Sequence, residues 1–222
     1  MIGEPAGPAA AVTFAALGRR ERKRAGLRLG VLAALRDRIR ATPFDAIPIA
    51  DLAAAVDVSP PTFFAHFATK SALLTYYIHL WRIGVLLAID GTEPGEAFIR
   101  SYFERTAEAI LDEPAMWFTI TGETARTGGL CEPADISAAE RLLAFDDDPR
   151  ALTTPCPSHN ELFTHHVAHL VKADDVAWTV DLLIGTFYGI PLALGPERLA
   201  DLPAHYRRSL DLIMSGDVGR AQ

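Results

Sequence analysis

The chain has 222 residues, half of them hydrophobic and 22% charged, with two cysteines and a formal charge of −7. This is globular composition with too few cysteines for a disulfide framework. No uninterrupted apolar run reaches the ~18 residues of a membrane span, since Asp181 breaks the stretch 176–194, and the basic-then-apolar order of a secretory signal is missing. The expected setting is therefore a reducing cytoplasm, with no membrane partner.

The charge is unevenly placed. Residues 1–82 hold eleven Lys/Arg against six Asp/Glu, so a basic head precedes an acidic body. Residues 1–18, rich in Ala, Gly and Pro, read as a disordered leader. From 20 to 40 the spacing of Leu27, Val31, Leu35 and Ile39 predicts a helix with arginines on its other faces. Thr42-Pro43 stops it, because the residue before proline avoids helical angles. A short helix over 49–56 and a turn at Asp57-Val58 follow. A third helix over about 60–66 has Ser59 as its cap and Pro60 at its first position. Thr69 can cap a longer fourth helix, with Leu73, Tyr77, Trp81 and Val85 on one face.

Residues 91–95 mark a joint between a head at 19–89 and a body at 90–222. The body reads as helix over 96–111, 115–126, 136–145, 161–172, 176–194 and 202–214. A break is expected at 127–129, and a loop over 146–158 with its three prolines. No segment alternates with period two, and no repeat of 20–50 residues appears. The expected fold is all-α: an N-terminal tri-helical DNA-binding unit and a C-terminal helical body for ligand binding and dimerisation.

Two short helices joined by a tight turn behind a longer helix form a helix-turn-helix. Leu52, Ala53 and Val56 give the second helix an apolar face, and Val58 plugs the angle between helices. The run from Ile49 to Leu74, above all Ser59-Pro-Pro-Thr-Phe-Phe-Ala-His-Phe67 and Lys70, resembles the TetR family of repressors. The resemblance spans about residues 20–80. It departs at Asp57, where the family prefers glycine, so that the turn is either slightly strained or takes a left-handed Asp. It departs also at Pro48, in place of a Ser/Thr cap, and at Phe64, in place of tyrosine. The resemblance implies that Ser59 and Thr62 contact phosphate or base edges. It implies that Phe63, with Phe64 beside it, makes apolar contact with thymine methyls or sugar. His66 would lie near the backbone and Lys70 would pair with a phosphate. Arginines from Arg19 to Arg28, with Arg19, Arg22 and Lys23 foremost, would reach flanking phosphates or the minor groove.

For the body the resemblance implies a pocket for a small, largely apolar effector and a homodimer through the last two long helices. Expected pocket residues are Phe98, Tyr102, Phe103, Trp117, Phe118, Phe163, His166, Trp178 and Phe187. Gly185 and Gly189 suit close helix packing across a two-fold axis. The partner is double-stranded DNA with a palindromic operator. No cofactor, metal or enzymatic activity is expected, since no phosphate loop, nucleophile elbow or His-Glu-x-x-His stands in the chain. Two alternatives stand beside this reading. One is an all-α carrier or enzyme with an incidental basic helix. The other is a metal-sensing regulator that uses His159, His165, His166, His169 and Cys156. Cys131 reads as passive.

Overall fold

The computed structural model describes residues 12–127 and 135–215. Among the described residues the regular structure is all helical. In order the α-helices are α1 (Arg19–Ile39), α2 (Ile49–Ala54), α3 (Pro60–His66), α4 (Ala72–Ala88), α5 (Glu96–Asp112), α6 (Pro114–Thr127), α7 (Ala138–Ala144), α8 (Arg150–Thr153), α9 (His159–Val167), α10 (Val176–Arg198) and α11 (Leu202–Met214).

Local chemistry sets several of these boundaries. The Gly18 N–H donates to the Glu21 carboxylate at 3.1 Å at the head of α1. Ser59 Oγ accepts the Thr62 N–H, with two prolines opening α3. Ser137 with Glu140, and Ser158 with Glu161, close reciprocal capping boxes on α7 and α9. Of the two alternatives at Asp57 the left-handed one is taken, with φ 56°. The long α10 bends at Gly195, whose φ of 64° suits glycine, just before Pro196.

Three expectations need adjusting. Residues 1–11 of the leader lie outside the described residues, as do residues 128–134 with Cys131. Residues 14–16 form a 3-10 turn whose Phe14 N–H donates to Asp147. The segment 146–158 holds α8, started where the Asp148 carboxylate accepts the Arg150 N–H at 2.9 Å. The helix expected over 161–172 begins two residues earlier and ends at Val167, where a turn folds Leu170 over Gly95.

Two apolar clusters divide the interior. The first joins Val31, Leu35 and Ile39 of α1, Leu52 of α2, Phe63 and Phe67, and Leu73, Leu74 and Tyr76 of α4. Met116 and Ile120 of α6 and Ile136 enter it as well, so body helices pack directly on the head. The second gathers Ile99, Tyr102 and Phe103 of α5, Phe163 of α9, Leu183 and Phe187 of α10, and Tyr206 of α11. Helix α4 runs through both. Each fully buried Phe or Leu contributes roughly 1.5–3 kcal/mol. Helix α1 meets the turn after α2 at Gly30, where a Cβ would stand 2.8 Å from Val56 Cγ1. Only glycine permits that approach.

A buried ion pair ties head to body. Arg28 of α1 meets Glu140 of α7 at 2.7 Å, with side chains 7% and 0% exposed. Tyr76 Oη donates to the same carboxylate at 3.0 Å, and Arg28 lies over the Tyr76 and Phe67 rings. Arg28 also donates to the Asp135 carbonyl at 3.0 Å. Good geometry and further hydrogen bonds are what a buried charge pair needs to offset its desolvation.

Candidate functional site

The outer face of the head is built from α3 and the start of α1. Ser59, Phe64, Arg19 and Lys23 are exposed, and Thr62 is half-buried with its hydroxyl 3.0 Å from that of Ser59. Phe64 is 48% exposed, whereas Phe63 is 0% exposed. The expectation of a thymine contact from Phe63 is therefore corrected. Its ring stands in the head core, edge-on to Phe64 and 5.6 Å from Phe67, and the exposed ring is its neighbour. Two adjacent helical residues point about 100° apart, so one faces inward when the other does not.

Other head residues are also occupied within the fold. Arg28 is in the ion pair described above and is unavailable to DNA. Lys70 Nζ donates to the Phe44 carbonyl and lies 4.5 Å from the centre of the Phe44 ring. It anchors the 44–46 turn, and burial lowers its pKa. His66 is half-buried between α3 and α1. Burial, then the charges of Arg24 and Arg28, lower its pKa, so the ring is neutral at pH 7. Arg22 is half-buried as well.

In the body, an apolar cavity of about 40 Å³ is lined by Tyr77, Ile78 and Trp81 of α4, Ala109 and Ile110 of α5, Trp117 and Ile120 of α6, His159, Phe187 and Tyr188, with Glu113 at one side. Of the nine expected pocket residues, Trp117 and Phe187 stand here. Tyr102, Phe103 and Phe163 are fully buried behind it as core. Phe118 is half-buried against Trp117. Phe98 and His166 line a different, open groove of about 650 Å³ between α4, α5 and α9. Trp178 is 61% exposed on α10 and is no pocket wall, which corrects its placement.

Residues from outside the expected set supply the cavity's polar groups. His159 is 2.9 Å from the Tyr102 hydroxyl through Nε2 and 2.9 Å from the Tyr188 hydroxyl through Nδ1. Burial, then the charge of Arg82, depresses its pKa to about 3, so the ring is neutral. At the other side Glu113 accepts from Tyr77 Oη at 2.8 Å and from Arg36 Nε of α1 at 2.7 Å. Tyr77 and Trp81 were legible as one face of α4; Tyr188 and Glu113 carried no signal. His166 accepts the Gly95 N–H at 3.1 Å and stacks on Phe98 at 3.7 Å, with its pKa lowered to about 4 by burial, then by His165 and His169. Among the described residues no group of three His, Cys, Asp or Glu side chains is placed to hold a metal. Two of the histidines considered for a metal are thus engaged elsewhere.

Residues 31–77 match the model of the bacterial regulatory proteins of the tetR family. No curated protein matches the sequence. Among solved structures, the chain is similar to a TetR transcriptional regulator from Rhodococcus sp. RHA1, at 16% identity and TM-score 0.48 over 86% of this chain and 97% of that one. It is similar to the TetR family regulator PfmR from Thermus thermophilus, at 19% identity and TM-score 0.45 over 84% and 97%. A putative transcriptional regulator from Pseudomonas aeruginosa PAO1 aligns at 17% identity and TM-score 0.48 over 95% and 99%. The family match at 31–77 is the comparison that bears on function.

Proposed function

We propose that this chain, a TetR-family DNA-binding regulator by its domain at residues 31–77, is a homodimeric cytoplasmic repressor that leaves a palindromic operator when a small, largely apolar ligand enters the α4–α6–α10 cavity. The observation that carries the reading is the outer face of the head. Thr62 and the exposed Phe64 ring lie on the family-matched recognition helix, and exposed Arg19 and Lys23 stand on α1. Thr62 and Phe64 address base edges and thymine methyls, and the basic start of α1 addresses phosphates.

The dimer reading rests on α10. Trp178, Gly185, Gly189 and Leu192 are exposed at helical spacing along one face, and Leu212 is exposed on α11. The most apolar eighteen-residue window of the 173–214 stretch is apolar enough to cross a membrane by composition, yet only 28% of it is buried. A second copy packed on that stripe accounts for the apolar surface. Two DNA heads set about 34 Å apart then meet successive major grooves.

Coupling rests on α6. Trp117 walls the cavity while Met116 and Ile120 of the same helix sit in the head core. Ser71 Oγ donates to Glu123 of α6 at 2.6 Å. A cavity of about 40 Å³ holds little more than a water, so a ligand must part its walls. Moving α6 then moves the head and changes the spacing of the pair.

The test is a gel shift on DNA from the promoter of the chain's own gene. Binding at micromolar protein that prefers this sequence and weakens steeply with salt is expected. Binding without sequence preference, or none, overturns the reading. Thr62→Ala should cost ~1–3 kcal/mol at one base position. An unchanged binding profile removes Thr62 from the base edge. Leu192→Asp should convert the dimer to monomer by light scattering; a persisting dimer places the interface elsewhere.

A further inference from the structure

A buried cation follows the cavity-lining Trp81 along α4. Arg82 of α4 is 8% exposed. It donates to the Pro157 carbonyl at 2.7 Å, and its Nε is buried with no hydrogen-bond partner. Among the described residues no carboxylate lies in ion-pair distance of it. Its charge is felt at Tyr102, Cys156, His159 and Tyr188, all uncharged at neutral pH. Glu161, which also feels it, is exposed and engaged with the Ser158 backbone and hydroxyl. A guanidinium taken out of water without a counter-charge is costly. The neutral relay Tyr188–His159–Tyr102 connects that positive field to the cavity lining.

From this arrangement we propose that the effector is a small monocarboxylate with an apolar body. Its carboxylate seats at the His159–Tyr188 side of the cavity, accepting from the relay and neutralised by Arg82. Its body lies between Trp81, Trp117 and Phe187. A second negative group is disfavoured, because Glu113 occupies the far side with Tyr77 and Arg36. The assignment rests on the reading of this cavity as the effector site.

Calorimetric titration of the full chain with phenylacetate and hexanoate, each against its neutral amide, tests it. Each acid should bind at least about tenfold tighter than its amide, as a charge-assisted contact requires. Arg82→Met should abolish the preference, and Arg82→Lys should keep most of it. Equal affinity for acid and amide, a preference that survives Arg82→Met, or no saturation by either acid overturns the proposal. The acid–amide comparison on the unaltered chain stands even if a variant fails to fold. Operator binding is measured separately. Carboxylate binding without any operator binding strikes the regulator reading alone. Release of operator by the neutral amides as readily as by the acids strikes the anion assignment alone.

Discussion

Two buried arginines, one beside each apolar cluster, are held in different ways. Arg28, on α1, is 6% exposed; Arg82, on the half of α4 that runs into the second apolar cluster, is 8% exposed. Arg28 has the Glu140 carboxylate, the Asp135 carbonyl and two aromatic faces around it. Arg82 has one carbonyl, and neutral hydroxyl, thiol and imidazole groups as neighbours. The Nε of each is buried without a partner, but the same side chain at the same depth has a counter-charge in one place and none among the described residues in the other.

The contrast is broken most directly by removing one partner of the head pair. Glu140→Ala should cost about 3–5 kcal/mol in urea unfolding, because Arg28 is left buried and uncompensated. Arg82→Met should cost less than the Glu140 change, since its bonds to the Pro157 carbonyl, the Tyr102 hydroxyl and the Cys156 thiol are lost but a buried charge without a counter-ion is removed with them. Equal losses would erase the distinction between the two sites. Within the head, Phe63→Ala should likewise cost ~3–5 kcal/mol, whereas Phe64→Ala should leave stability within ~0.5 kcal/mol and weaken operator binding. Gly30→Ala should cost roughly 1–3 kcal/mol by forcing α1 from Val56.

The smallest effect is on pH. His159 and His166 have folded pKa values of about 3 and about 4, below the ~6.5 of an unfolded histidine. The unfolded chain therefore binds more protons below about pH 6.5, and stability falls as pH drops through the window toward 4. Between pH 7 and 6 the loss is under about 1 kcal/mol per histidine. His159→Gln should flatten that slope in thermal melts; an unchanged slope would mean that the imidazole is not held neutral.

The head was legible because its signals are local. Ser59, the two prolines, Asp57 in a left-handed turn and the four-residue spacing of Val31, Leu35 and Ile39 each act within one turn of chain. The body offered no such spacing for its cavity, whose lining comes from α4, α5, α6, α9 and α10. Aromatic composition there selected Trp117 and Phe187, which line the cavity, but it equally selected the core rings Tyr102, Phe103 and Phe163 and the surface ring Trp178.

By itself, then, the sequence determined the helical class, the order of the helices other than α8, the position of α3 and the basic character of the head, since caps, turns and periodicity depend on neighbours along the chain. Only the tertiary structure decided that Phe63 is core and Phe64 surface, because the positions of α1 and α4 select which of two adjacent rings is covered. It likewise decided that Arg28 pairs with Glu140, 112 positions away, while Arg82 meets no acid among the described residues. Burial and pairing depend on which distant segments converge, and charge alone carries no record of that.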